Sequence, residues 1–170
     1  MATRQCILLF PDLTNRGQID RYRERFDPLA QKIAPHVTLV FPFESADLES
    51  DALAHDVAER IHGIDAFDLE VPPPAVFDEG YVYLGVTSGA SHIRRLHDVL
   101  YSGELRSFLR ADVDYVPHIT IGRYADEKTE FEVRKAAVEL SGPFRAHIRE
   151  VIIERIGADE KSTVVSRLSL

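Results

Sequence analysis

One short sequence occurs twice in this chain, and the repeat limits what the chain can fold into. The string PHVTL, residues Pro35–Leu39, returns as PHITI, residues Pro117–Ile121, about half of the 170-residue chain later. Random placement of the 9 proline, 7 histidine and 7 threonine residues predicts only about 0.015 copies of Pro-His with threonine two places on. The repeat therefore indicates two similar halves with a histidine at the same position in each.

Both copies have the composition of β-strands, because Val37, Leu39 and Val40 follow the first histidine and Ile119 and Ile121 follow the second. Side chains of a strand alternate between its two faces, so His36 and Thr38 share one face and Val37 takes the other. In the second copy His118 and Thr120 share a face in the same way. If the halves fold alike, a pseudo-twofold axis can bring two imidazoles and two hydroxyls to one cleft.

Composition limits the class of protein and its partners. A chain of 19.2 kDa is expected to form one bilobal domain over residues 1–170. The net charge of −8 argues against long duplex nucleic acid as a partner, whereas a nucleotide or a short RNA end could still bind a local basic pocket. Cys6 is the single cysteine, which predicts no disulfide framework and a cytoplasmic protein. The apolar start, residues 6–10, is too short for a signal peptide or a membrane span.

Hydrophobic periodicity predicts the order of the elements. Apolar residues recur at steps of three and four in segments that contain Ile19, Leu53 and Ile93, which predicts three helices, and a fourth helix is expected from Asp126 to Leu140. The first helix is expected to break and restart at Asp27-Pro28, and its Arg21, Arg23 and Arg25 are expected on an exposed surface. A strand from Phe144 to Ile156 is expected to carry a bulge near Glu150. The predicted fold is α+β and duplicated, with two small, mostly antiparallel sheets facing a central cleft and helices outside.

The paired motifs resemble those of a known family. His36-Val37-Thr38 and His118-Ile119-Thr120 are similar to the signatures of the two-histidine (2H) phosphoesterase superfamily, especially its 2′-5′ RNA ligase-like branch. The strings PHVTLVFPF and PHITIGRY are typical of that branch, and the resemblance covers essentially the whole chain. It implies hydrolysis of 2′,3′-cyclic phosphates of nucleotides or RNA ends without metal or cofactor. The reverse reaction would ligate RNA ends through a 2′-5′ bond.

The resemblance also implies roles for individual residues. His36 and His118 match the catalytic pair of the family, and Thr38 and Thr120 match its phosphate-binding hydroxyls. Arg123 matches a basic residue that often follows the second histidine by five places.

The two halves differ where the substrate would bind. Phe41 stands in the first half where Arg123 stands in the second, so only one half supplies a cation. Simple alternation would send Arg123 to the core face unless the strand ends or bulges at Gly122. Arg123 could instead form a surface salt bridge. Phe41 and Tyr124 could stack on a nucleobase or could be ordinary core aromatics, and Tyr83 is a weaker candidate on a strand beside the cleft.

Histidine suits the chemistry because its ordinary pKa is about 6.5. One neutral imidazole can take a proton from water while a protonated one delivers a proton to the leaving oxygen. The residues themselves do not assign the two roles, and the resemblance favours His36 as the acid and His118 as the base. Two alternatives stay open: a non-catalytic nucleotide-binding module and a metal-dependent hydrolase. No metal is expected, because no carboxylate or cysteine stands at ligand spacing near either histidine. The expected protein is a monomer that does not bind membranes.

Overall fold

The computed structural model describes residues 3–45 and 50–170, and it confirms the α+β class. The helices in these ranges are α1 (Gly17–Phe26), α2 (Ser50–Ile61), α3 (Ala90–Leu100) and α4 (Glu127–Ala137), with a 3₁₀ helix at Glu104–Phe108. The strands are β1 (Thr3–Leu9), β2 (Val37–Ser45), β3 (Phe67–Val71), β4 (Val76–Asp78), β5 (Tyr81–Gly85), β6 (His118–Arg123), β7 (Phe144–Ile148), β8 (Glu150–Ile156) and β9 (Ser162–Ser169). No described helix is long and apolar enough to cross a membrane.

The strand order has the predicted pseudo-twofold symmetry. Seven strands form an antiparallel sheet in the order β4-β5-β6-β2-β1-β8-β9, and β3 pairs with β7 in a separate ribbon. Exchanging β1 with β5, β2 with β6 and β4 with β8 turns the order of the first six strands into the same order read backwards. The same operation exchanges β3 with β7. The axis therefore passes between β2 and β6, the two strands that carry the repeated motif.

The two halves of the sheet meet at a single point. β2 and β6 share one pair of opposed residues, Val37 and Ile119, called the junction pair below. Both strands start at the axis and run apart from it in opposite directions, so they overlap only there. The expected two small sheets are thus joined into one continuous sheet.

Helices cover the face of the sheet that carries the junction pair. α1 packs against β6 and α3 packs against β2, so each helix covers the half that carries the other motif. The packing of α1 is close: a Cβ added at Gly122 in β6 would lie 3.2 Å from Phe26 Cβ and from Tyr22 Cε1. Val37 and Ile119 are 1% and 0% exposed and belong to the hydrophobic core. The histidine face is the opposite one.

Two predicted details are wrong. α1 ends at Phe26, and the chain continues in turns rather than as a restarted helix, because the Asp27 carboxylate accepts a hydrogen bond from the Leu29 N–H at 2.9 Å. The strand expected to bulge near Glu150 is instead two strands separated at Arg149. β7 pairs with β3 and β8 pairs with β1, so the change in apolar phase marks the passage from one sheet to another.

Candidate active site

The four residues predicted to be catalytic surround the junction pair. Extending the antiparallel register by one residue on either side sets His36 across from Thr120, and Thr38 across from His118. Side chains opposed in this way have Cβ atoms about 5 Å apart. All four are half-buried, whereas the junction pair between them is fully buried. The fold thus brings both imidazoles and both hydroxyls to one face, as the repeat predicts.

The two imidazoles are held in the same way. His36 Nδ1 donates to the Ala34 carbonyl at 2.8 Å, and His118 Nδ1 donates to the Val116 carbonyl at 2.7 Å. A carbonyl oxygen only accepts, so Nδ1 carries the proton in the neutral form of each ring. Nε2 is therefore the atom available for proton transfer. Neither Nε2 atom, and neither threonine hydroxyl of the site, is hydrogen-bonded to a described residue.

Aromatic side chains from other elements hold this arrangement in place. The Phe10 ring meets His36 edge-on with centroids 6.0 Å apart, and Tyr83 contacts His118 at 4.7 Å. Tyr115 Oη donates to the Thr38 carbonyl at 2.7 Å. Tyr83 could be suspected from strand alternation alone. Phe10 and Tyr115 were missed, because their contacts join distant parts of the chain and leave no local pattern.

The electrostatic environment of His36 favours its neutral form. Burial is the largest influence and lowers the pKa of His36 below its ordinary 6.5. The nearby charges of Arg23 and His118 lower the pKa further, while the Ala34 carbonyl and Asp27 oppose the shift. A neutral ring with its proton on Nδ1 can accept a proton at Nε2. A lowered pKa suits an imidazole that accepts a proton, and which histidine is the acid and which is the base stays a prediction.

A buried ion pair supports the segment that leads to His36. Arg23 Nε donates to Asp27 Oδ2 at 2.8 Å, and the same guanidinium donates to the Ile33 carbonyl at 2.9 Å. The two side chains are only 3% and 4% exposed, so the expectation of an exposed Arg23 is wrong. The residue next to Ile33 is Ala34, whose carbonyl holds His36. This role could not be predicted from the sequence, because α1 has arginine at positions 21, 23 and 25 and only the tertiary packing buries Arg23 while it leaves the other two exposed.

Arg123 lies on the face of Thr120 because β6 contains a bulge. The register between β5 and β6 shifts by one residue between Thr120 and Gly122. A one-residue insertion reverses the alternation beyond it, so the side chain of Arg123 returns to the histidine face. Its guanidinium carbon lies 5.0 Å from the ring centroid of Tyr81, the residue opposite it on β5. The bulge that Arg123 needs in order to leave the core face is therefore present. Contact between Arg123 and a substrate stays a prediction.

Phe41 and Tyr124 occupy different surroundings. β2 has a register shift just after Thr38, equivalent to the one in β6, and it turns Phe41 toward the face of Thr38. The Phe41 N–H donates to Tyr101 Oη at 3.1 Å. The Tyr124 N–H donates to the Gly80 carbonyl at 2.8 Å, beyond the end of β6. Both side chains are half-buried, and their stacking on a base stays a prediction.

The described residues contain no group of three or more His, Cys, Asp or Glu side chains placed to hold a metal ion. That finding concerns only residues 3–45 and 50–170, and the absence of a metal from the chemistry stays a prediction. The site as it stands offers two proton-transfer atoms and two hydroxyl groups on one face. Such a set can move protons on opposite sides of a bound phosphate.

Comparison with known proteins agrees with the fold and with the motifs. The family model of the 2′-5′ RNA ligase superfamily matches residues 10–160. A Geobacillus protein named as a candidate phosphoesterase is 33% identical over 119 residues, which are 69% of this chain and 67% of that protein. A Staphylococcus aureus protein with the same designation is 29% identical over 91% of this chain and 90% of its own length.

Solved structures show the same fold. Escherichia coli LigT in complex with 3′-AMP superposes with a TM-score of 0.70 at 21% identity, covering 100% of this chain and 99% of LigT. The Thermus thermophilus protein TT0787 gives a TM-score of 0.62 at 14% identity, covering 98% and 97% of the two chains. These likenesses concern the fold, and the family match spans both histidine motifs. The chain therefore belongs to the 2′-5′ RNA ligase superfamily of two-histidine phosphoesterases.

Proposed function

We propose that this protein is a metal-independent phosphodiesterase that hydrolyses 2′,3′-cyclic phosphates of nucleotides or RNA ends. The observation that carries the proposal is the pair of imidazoles with available Nε2 atoms, each across from a threonine hydroxyl at the junction pair. The LigT structures with 3′-AMP, ATP and NADP+ support a nucleotide as ligand. The proposal includes a single bilobal domain over residues 1–170, acting as a monomer in the cytoplasm.

The proposed reaction uses each group once. Neutral His36 accepts a proton at Nε2 from a water molecule as the water oxygen bonds to phosphorus. Protonated His118 donates from Nε2 to the ribose 3′-oxygen as its bond to phosphorus breaks, which leaves a 2′-phosphate. Thr38 and Thr120 donate hydrogen bonds to the phosphoryl oxygens, where charge accumulates in the transition state. Ligation would not be the reverse of this hydrolysis: with the 5′-hydroxyl of a second RNA end in place of water, the same groups would join the two ends through a 2′-5′ bond as the 3′-oxygen leaves.

The lowered pKa of His36 supports this division of roles. Because its pKa is lowered, the half-buried His36 ring is neutral near pH 7 and can accept a proton, which reverses the assignment that the resemblance favours. After one turnover His36 holds a proton and His118 has lost one, so exchange with solvent must restore both. Because turnover needs one neutral and one protonated imidazole, the pH–rate profile should have an acid limb and a basic limb that belong to the pair.

Turnover of 2′,3′-cyclic AMP, with and without a chelator, tests the proposal. We expect activity that the chelator leaves unchanged, and losses of about 10²–10⁴-fold in kcat for His36→Ala and for His118→Ala. Both variants should fold, because the rings lie on the face away from the core. The matched control is His55→Ala on the exposed surface of α2, which should keep full turnover.

Three results would contradict the proposal. Near wild-type turnover in either site variant would exclude the two-histidine mechanism. Loss of activity with the chelator would point to a metal-dependent hydrolase. Tight nucleotide binding without any turnover would point to a binding module.

A further inference from the structure

A cavity of about 420 Å³ lies at the end of β6, next to the candidate active site. Arg123 and Tyr81 line it from the histidine face, Tyr124 lines it from the end of β6, and Phe26 lines it from the end of α1. The volume is in the range of pockets that hold small organic ligands. Three aromatic rings and a guanidinium are the groups that bind a nucleobase and a phosphate.

A second cavity, of about 390 Å³, lies nearer the start of α1. Arg21 and Arg25 line it from one turn of α1, opposite the C-terminal end of α4. The two cavities are connected by a stacked pair, because the guanidinium carbon of Arg25 lies 4.7 Å from the ring centroid of Phe26. Arg25–Phe26 on α1 thus repeats the arrangement of Arg123–Tyr81 on the sheet.

These three arginines are available to a ligand. Arg21, Arg25 and Arg123 are exposed, and none has a salt bridge to another described residue. Among the cavity-lining residues Glu79 balances Arg123 in the first cavity, whereas Arg21 and Arg25 outnumber Glu139 in the second. The surplus of positive charge therefore lies at the second cavity, where it attracts an anion locally on a chain of net charge −8.

The path begins close to the proposed phosphate site. Arg123 and Thr120 lie opposite Tyr81 and Tyr83, which are two residues apart on β5, so they are separated by about 7 Å along the sheet. Arg25 and Arg21 lie one helical turn, about 6 Å, apart on α1, which covers the opposite face of the sheet, so the path passes around the end of β6 by way of Phe26. A ligand bound at the histidines must therefore extend past the first cavity and around the end of β6 to reach the second.

We propose that Arg123, Arg25 and Arg21, called the arginine track here, bind the RNA chain that precedes a 2′,3′-cyclic phosphate end. Phosphates of the chain pair with the guanidinium groups, and bases stack on Tyr81, Tyr124 or Phe26 with little preference for sequence. This inference rests on the proposed function, since it places the cyclic end at the histidines. It makes an oligoribonucleotide end a better substrate than a cyclic mononucleotide.

The test compares two double variants that remove the same charge. R21A/R25A removes the distal half of the track. The control R94A/R95A removes two exposed arginines from α3, the helix related to α1 by the pseudo-twofold axis. For each protein, kcat/KM is measured at several salt concentrations with 2′,3′-cyclic AMP and with a hexaribonucleotide that ends in a 2′,3′-cyclic phosphate. Circular dichroism checks that both variants are folded.

We expect R21A/R25A to lose about tenfold or more in kcat/KM on the hexanucleotide and to match wild type on cyclic AMP. Each lost phosphate contact should also flatten the slope of log(kcat/KM) against log salt by about 0.7, the value for single strands. The inference is overturned if R21A/R25A and R94A/R95A lose the same factor on the hexanucleotide. An equal loss on both substrates overturns it as well.

Binding without turnover separates this inference from the proposed function. Fluorescence anisotropy with a labelled hexaribonucleotide that ends in a 2′-phosphate needs no catalysis. Weaker binding by R21A/R25A than by R94A/R95A supports the track even if wild type fails to hydrolyse cyclic AMP. Hydrolysis of cyclic AMP together with equal binding by the two variants supports the proposed function and refutes the track.

Discussion

Replacing Arg23 with methionine should cost far more stability than its position in a run of surface arginines suggests. The guanidinium pairs with Asp27 at 2.8 Å and with the Ile33 carbonyl at 2.9 Å, and both charged side chains are almost fully buried. Removing one partner of a buried pair leaves an uncompensated charge and typically costs 3–5 kcal/mol. We therefore expect Arg23→Met to lower the free energy of unfolding by about 3–5 kcal/mol, out of roughly 5–15 kcal/mol for a domain.

The start of the same helix provides a matched control, because Arg16 is the residue just before α1. Arg16 pairs with Asp20 at 3.0 Å with the same four-residue spacing, but those side chains are 42% and 39% exposed. Exposed pairs of this kind contribute about 0.3–0.5 kcal/mol, so Arg16→Met should change the free energy of unfolding by that amount. Urea unfolding followed by circular dichroism measures both variants.

A double-variant cycle isolates the pair itself. Asp27→Asn removes the carboxylate charge and can keep the hydrogen bond from the Leu29 N–H. Arg23→Met combined with Asp27→Asn leaves no buried charge, so its loss should be smaller than the sum of the two single losses by about 1–3 kcal/mol. If Arg23→Met costs less than about 1 kcal/mol, or if the cycle shows additive losses, the argument from burial is refuted.

Three further predictions concern the site and its support. The folded-state pKa of His36 is lowered, so the free energy of unfolding of wild type should fall as the pH drops below about 6.5. His36→Gln should lack this loss, and a stability difference between the two proteins that is the same at every pH would refute the reasoning. Gly122→Val should destabilise by about 1–3 kcal/mol in thermal or urea unfolding, because a Cβ there already lies 3.2 Å from two atoms of α1; an unchanged midpoint would show that α1 can move away. In titrations with nucleotides and inorganic phosphate, Arg123→Ala should weaken phosphate-containing ligands more than Phe41→Ala does, whereas Phe41→Ala should reduce discrimination between ligands with and without a base; equal effects of the two variants would contradict the asymmetry.

The sequence by itself determined which residues of the two motifs share a face. The alternation of a strand is a local property, so His36 and Thr38 must share a face wherever that strand lies, and the same holds for the second copy. Duplication then implied that the two faces are related by symmetry, and the strand order confirms it. The α+β class followed from the interleaved helical and strand periodicities in the same local way.

The tertiary structure decided everything that depends on contacts between distant residues. The bulge that turns Arg123 to the face of Thr120 exists because β6 pairs out of register with β5. Arg23 is buried, and Arg21 and Arg25 are exposed, because of what packs against α1. The lowered pKa of His36 depends on burial and on charges brought from α1 and β6. Local periodicity carries no information about pairing register or burial depth, because both arise only when segments far apart in the chain come into contact.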